Sequence, residues 1–359
     1  MRVNINELQE GCILTNDVFS KTNRPIIPKK TVLTHSLIEV LKVFLIRHVE
    51  VEKTLINGLP FIPHGVNEEE IMAEKIEPHG LSDLYLQSVR LFKKEFQSWQ
   101  AGKTIDIGKI RSVILPLLEV MEKTPSEIFH LHHFSTSEEY LYQHSVAVGL
   151  ISGYIGYSLR FQKGDMVQLA LAGCLADCGM AKINPAILNK RTSLALPEYE
   201  EVKKHPIFSY RMVENIPALR TDAKIAILEH HERLDGSGYP LAEKEAKTHL
   251  YAKIIAVADI FHAMTSERLF RSKQSPFKVL EMILEDSFGK FDIGIVKALV
   301  SGISKFSSGA NVRLSDGRIA EILFIDEKNP TRPLVKVIDT EEMVPLEKNR
   351  YLFIEEVLA

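Results

Sequence analysis

Cysteine is scarce in this chain: Cys12, Cys174 and Cys178 are the only three in 359 residues. An odd, sparse set excludes a disulfide framework and points to a reducing compartment. Long hydrophobic runs are missing as well. Residues 37–46 are broken by Glu39 and Lys42, and no window approaches the roughly 20 apolar residues of a membrane span. The first eleven residues are polar and lack the apolar core of a signal peptide, so a cytoplasmic location is expected. Charge of one sign is also lacking, since 44 basic residues face 47 acidic ones for a formal net charge of −3. That balance gives no electrostatic case for a nucleic-acid polymer or an anionic membrane as the main partner. An anionic ligand must therefore be held by a local cluster. Repeats and low-complexity tracts are absent.

What is present is ordinary for a globular protein, 45% hydrophobic and 25% charged residues, over a length that predicts two or three units. Residues 1–56 combine short β-type runs such as Cys12-Ile13-Leu14 with helical spacing over Ser36–Phe44, which predicts a small α+β module. Residues 57–80, with Pro60, Pro63 and Pro78, read as a linker that holds His64 and His79 without an assigned role. Helical texture begins at Leu81 and predicts a helical domain over 81–303, with preceding helices at 81–134 and the chemistry over 135–300. His130, His132 and His133 fall among the preceding helices and are expected to be solvated or hydrogen-bonded. From 304 to 359, short strand-like runs around Asp316-Gly317 and Asn329-Pro330 predict a small β-rich module. The fold class is therefore mainly α, a central helical bundle flanked by two small modules.

The densest concentration of chemistry is the string His230-His231-Glu232-Arg233-Leu234-Asp235-Gly236-Ser237-Gly238-Tyr239-Pro240. Adjacent residues on a helix point roughly 100° apart, so two neighbouring imidazoles reach one ion only where the helix ends. Gly236 and Gly238 supply that end, and Pro240 prevents the helix from resuming.

The string resembles the signature of the HD-GYP family, bacterial metal-dependent phosphohydrolases whose usual substrate is cyclic di-GMP, and the resemblance extends over about residues 135–300. It implies an HD-type helical bundle. It also implies metal ligands at His144, Asp177, His205, His230, His231 and Asp259 for one or two divalent ions, iron or manganese by preference, with Asp177 as the bridge where there are two. Arg268 and Arg271, with the Gly238-Tyr239-Pro240 turn, stand where the family holds the cyclic dinucleotide. Ligand type alone admits iron, manganese, zinc or nickel.

The chain also departs from the family pattern. Ala176 stands where the dyad's histidine is usual, Met180 where a lysine follows, Tyr140 where some members carry a glutamate for a third ion, and His262 where a second aspartate is common. Lys182, or a thiolate from Cys174 or Cys178, is a candidate replacement. Two expectations remain open: a cyclic di-GMP phosphodiesterase of reduced activity, or a non-catalytic module that binds the dinucleotide or a signalling protein.

Overall fold

The computed structural model describes residues 1–19, 25–63, 80–244, 247–267, 273–286, 289–304, 309–326 and 328–358. The chain divides into two compact units, residues 1–91 with the end of the chain, and Phe92–Val357.

In the first unit, β1 (Arg2–Asn4) pairs antiparallel with β4 (His48–Glu50), β2 (Val18–Phe19) pairs with β3 (Pro25–Ile27), and α1 covers His35–Val43. Thr34 caps α1 by accepting from the Leu37 amide, which satisfies one of the donors a helix start leaves free. Ile38 and Leu41 of α1 join Val3, Val49, Val51 and Leu33 in one apolar core. Cys12-Ile13-Leu14 makes isolated bridges, Ile13 to Val32 and Leu14 to Val51, in place of the regular strand its composition suggests.

The helices that follow are α2 (Leu81–Gln100), α3 (Ile107–Lys123), α4 (Tyr140–Ser158), α5 (Lys163–Leu175), α6 (Pro185–Leu188), α7 (Leu196–Val202), α8 (His205–Val213), α9 (Thr221–Glu229), α10 (Leu250–Thr265), α11 (Pro276–Asp286) and α12 (Ile293–Ser304). Two of them differ in kind from the rest. In α4, residues 143–156 are buried without interruption, and α10 is buried on nearly every side, as expected for helices that are apolar all round. Each fully buried leucine or isoleucine they contribute is worth about 1.5–3 kcal/mol. Small residues let α4 and α5 approach closely. A Cβ on Gly149 would lie 2.8 Å from the Ala170 carbonyl oxygen, and one on Gly173 would lie 3.0 Å from the Val148 carbonyl oxygen. Among the described residues no helix is long and apolar enough to cross a membrane.

Three elements depart from the sequence-based expectation. Residues 125–134 form a 3-10 helix in which His130 and His132 are buried, and His132 is hydrogen-bonded, one of the two outcomes expected, with Nδ1 2.7 Å from the Phe129 carbonyl. Leu196-Pro197-Glu198 reads as the opening of one helix that carries His205, but the structure forms two, and Pro206 lies in the first turn of the second, where its missing N–H costs nothing. The run from Tyr351 to Ile354 reads as strand-like, whereas the last strand, β9, is Ile354–Leu358. It lies at the edge of a five-stranded sheet with β5 (Asn311–Leu314), β6 (Ile319–Phe324), β7 (Leu334–Val337) and β8 (Met343–Pro345), in the order β8-β7-β6-β5-β9.

Candidate functional site

All six histidines and aspartates singled out from the sequence meet in one buried cleft, delivered by five separate segments. His144 comes from the first turns of α4, Asp177 from the turn between α5 and the 3-10 helix Cys178–Lys182, and His205 from the start of α8. His230 and His231 follow the end of α9, and Asp259 lies in the middle of α10. Placement at helix ends aims successive side chains at one point without a long loop. The adjacent pair His230 and His231, with ring centroids 4.2 Å apart, depends on it.

The local sequence builds this convergence with small contacts. A Cβ on Gly179 would lie 2.2 Å from the His205 carbonyl oxygen, so only glycine lets the Asp177 turn sit against α8. Ser209, one turn beyond His205, donates its hydroxyl to the Ala176 carbonyl at 2.6 Å and accepts the Gly179 amide at 2.8 Å. The backbone on both sides of Asp177 is thus pinned to the helix that carries His205. Gly238 plays the same part in the turn after His231. A Cβ there would lie 2.4 Å from the Arg233 nitrogen and 2.5 Å from the His231 carbonyl oxygen. Glu232, buried at 3% exposure, then gathers the amides of Leu241 (2.6 Å), Ala242 (3.1 Å) and Glu243 (3.0 Å) on its carboxylate. Tyr239 is held with its ring 4.7 Å from that of His231 and near parallel to it, and Lys203 Nζ lies 5.5 Å from the Tyr239 ring.

Within the cleft the atoms form two linked groups. His205 Nε2 lies 3.0 Å and His230 Nε2 3.5 Å from Asp177 Oδ1, and the two nitrogens are 3.2 Å apart. Each of these rings has its other nitrogen against a backbone carbonyl, His205 Nδ1 on Val202 at 2.7 Å and His230 Nδ1 on Ile227 at 2.8 Å. Each carbonyl accepts a hydrogen bond from Nδ1 and so fixes the ring with Nε2 turned into the cleft. Asp177 Oδ1 is buried and receives no hydrogen bond. Two ring nitrogens and a carboxylate oxygen in such contact are held together only by a cation or a proton among them. With His231 these groups form a set whose ligand atoms all lie within 4.8 Å of one another, and it is the one set of this kind among the described residues. The second group is His144, with Nε2 2.9 Å from Asp259 Oδ1 and 3.6 Å from Asp177 Oδ2, while the other oxygen of Asp259 lies 3.8 Å from His231 Nδ1.

The electrostatics follow from burial and neighbours. Burial alone would raise the Asp177 carboxyl, but the imidazoles of His205, His230 and His144 hold it well below the usual carboxylate range. Asp259 is likewise held low, against its burial, by His144 and His231. Burial and the adjacent His230 push the His231 imidazole well below its ordinary value, so it stays neutral. Burial and the two carboxylates raise the Tyr239 phenol, which therefore keeps its proton. Neutral imidazoles and ionised carboxylates are the protonation states in which such side chains ligate a divalent cation.

The positions of departure have clear surroundings. Ala176 is buried and borders a narrow pocket with His144, Val148, Asp177 and Asp259, where its methyl offers no ligand atom. Lys182 does not turn inward, because its amine bonds the Trp99 carbonyl at 3.0 Å. Neither cysteine takes the place of the missing imidazole. Burial pushes the Cys178 thiol up to about 12 and Cys174 higher still, and Cys178 Sγ faces the Ser209 carbonyl at 3.8 Å. Arg268 and Arg271 lie outside the described residues. Sequence reasoning missed Ser209 and Glu232. Only the four-residue step from His205 to Ser209, which places both on one helix face, could have flagged the first.

Comparison with known proteins places this geometry. Residues 125–294 match the HD domain family. The chain is 31% identical over 245 residues to a cyclic di-GMP phosphodiesterase of Pseudomonas aeruginosa, covering 67% of this chain and 58% of that protein. It is 26% identical to a 3'3'-cGAMP-specific phosphodiesterase of Vibrio cholerae, covering 76% of this chain and 54% of that one. Over these residues the chain is similar to HD-domain phosphodiesterases of cyclic dinucleotides. It spans less than two thirds of the length of these curated relatives. Its fold is also that of an HDG"Y"P protein from Bdellovibrio bacteriovorus, with a TM-score of 0.50 at 13% identity over 83% of this chain and 97% of that one. The mainly α, HD-type architecture of the chain is thereby established.

Proposed function

We propose that this chain is an HD-GYP-type, metal-dependent phosphodiesterase of cyclic dinucleotides, cyclic di-GMP first, working below the family's full rate. The observation that carries the reading is the Asp177 carboxylate oxygen, buried and without a hydrogen-bond partner, facing Nε2 of His205 and of His230. In this reading His205, His230, His231 and Asp177 hold one divalent ion, and His144, Asp259 and Asp177 hold a second, iron or manganese in each case. Such ions acidify a water and neutralise the charge that develops on a phosphoryl group under in-line attack.

The protein's own residues would do the rest. Asp177, held ionised, would belong to both ligand sets. Tyr239, a neutral phenol beside His231, forms a wall against which the dinucleotide rests, with Gly238 and Pro240 shaping the turn. Arg268 and Arg271 would hold its phosphates by paired, charge-assisted hydrogen bonds. The reading also takes residues 1–56 and 304–359 as modules added to the helical domain 81–303, with a signalling protein as partner in the cytoplasm.

Metal analysis of the purified protein, joined to a hydrolysis assay with cyclic di-GMP and 3'3'-cGAMP, tests this directly. Bound metal with slow release of a linear dinucleotide or mononucleotide supports it. Absence of both metal and turnover refutes it. A second reading, a dinucleotide-binding module without turnover, is favoured by Ala176, Met180 and the outward course of Lys182. Tight binding of cyclic di-GMP by metal-loaded protein with no product would establish that alternative.

A further inference from the structure

Two side chains without an assigned role meet the outer nitrogen of His144. Nδ1 of this ring lies 3.0 Å from His262 Nδ1 and 3.3 Å from the Tyr140 hydroxyl, while Nε2 faces Asp259 and Asp177 in the cleft. Tyr140 is one turn before His144 on α4, its ring stacked on the imidazole with centroids 5.1 Å apart. His262 is one turn after Asp259 on α10 and is 1% exposed. Behind it the hydroxyl of Ser266, also buried, lies 3.2 Å from one ring nitrogen and 3.3 Å from the other. Two buried imidazole nitrogens at 3.0 Å cannot both be bare or both carry protons, so one N–H is shared between them.

The geometry points to a positioning role: His262, backed by Ser266 and assisted by Tyr140, holds His144 by its outer nitrogen and lets the ring turn either a proton or a lone pair into the cleft. The role rests on the metal-centre reading above. In the metal-free arrangement His144 donates its Nε2 proton to Asp259 and accepts at Nδ1 from the Nδ1 proton of His262. With a cation on Nε2, His144 carries its proton on Nδ1 and donates it to His262, whose own proton now sits on Nε2 toward Ser266. The change is balanced. The Nδ1 proton crosses from His262 to His144, the Nε2 proton of His144 leaves to water, and one proton returns from water to His262 Nε2. Each imidazole holds one proton before and after, and neither becomes charged. A carboxylate at 262 could accept from His144 but never donate to it, so it would support the second arrangement alone.

The test uses full-length protein stripped of metal and labelled with nitrogen-15 in its imidazoles, with zinc as a diamagnetic probe. Wild type should show His144 protonated on Nε2, a coupling across the His144–His262 nitrogens, and a change to the Nδ1–H form when zinc is added. Loss of an outer-shell partner costs about 10 to 100-fold in metal affinity, so His262→Leu should weaken zinc at His144 by that factor and abolish the coupling. Tyr140→Phe should cost less, and His262→Asp, still an acceptor, should restore most of the affinity. Should His262→Leu fail to fold, the wild-type spectra and His262→Asp still decide. A metal-free His144 already protonated on Nδ1 would overturn the role. Zinc binding that His262→Leu leaves intact would sink this role alone, whereas no zinc binding by any form would sink the metal reading and this role with it.

Discussion

Glu232→Gln isolates what holds the turn beside the metal site. The wild-type carboxylate accepts three amides, Leu241 at 2.6 Å and Ala242 at 3.1 Å on one oxygen and Glu243 at 3.0 Å on the other. Glutamine keeps one oxygen for two of these amides but turns an NH2 group toward the third. One donor is then orphaned, at a cost of about 1–3 kcal/mol, and two charge-assisted bonds become neutral ones of roughly half the strength. Leu241 and Ala242 are exposed, so water recovers part of the loss, and a net cost of about 2 kcal/mol is expected. That corresponds to about 30-fold faster hydrogen exchange at the three amides, since each 1.4 kcal/mol is a factor of ten. Exchange measured by NMR or mass spectrometry should rise there and stay unchanged in α4 and α5, because the opening is local. With Tyr239 released from His231, dinucleotide binding should weaken while metal content holds. Unchanged exchange at residues 241–243 would refute the claim that Glu232 anchors the turn.

Other outcomes follow from the same geometry. Ala176→His should raise occupancy of the ion position beside His144 and Asp259, and Met180→Lys should restore a charge near the phosphate. Their combined gain in turnover should exceed the sum of the singles, because the lysine has little to act on while that metal is missing. Equal turnover in wild type and double variant would show that neither departure limits the rate. Arg268→Ala with Arg271→Ala should weaken cyclic di-GMP binding in calorimetry and leave metal content alone, and unchanged binding would move the ligand site elsewhere. His231, held neutral well below its ordinary value, binds a proton more readily in the unfolded chain. Metal-free protein should therefore lose stability in denaturant titrations as pH falls below about 6.5, at up to roughly 1.4 kcal/mol per pH unit for this one group. Stability that is flat from pH 7 to 5 in wild type and His231→Gln alike would contradict the assignment.

Much of the fold was legible because period and turn chemistry are local. The all-round apolar character of α4 and α10 marks central helices, and Gly236 and Gly238 announce the turn after the histidine pair. The same reading failed where a local pattern has two solutions. Nothing in residues 196–213 says that one helix will be two, and nothing in residues 125–134 distinguishes an α from a 3-10 turn. For the cleft, the order and types of His144, Asp177, His205, His230, His231 and Asp259 are written in the chain, as are the departures at Ala176, Met180, Tyr140 and His262. Tertiary structure alone decided what those positions do to one another. It turned Lys182 onto the Trp99 carbonyl, faced Cys178 toward a backbone oxygen, and set His262 against the back of His144. It also gave Ser209 and Glu232 their tasks. Hydrogen bonds from a side chain to remote backbone leave no spacing in a sequence, because any residue can supply the partner amide or carbonyl.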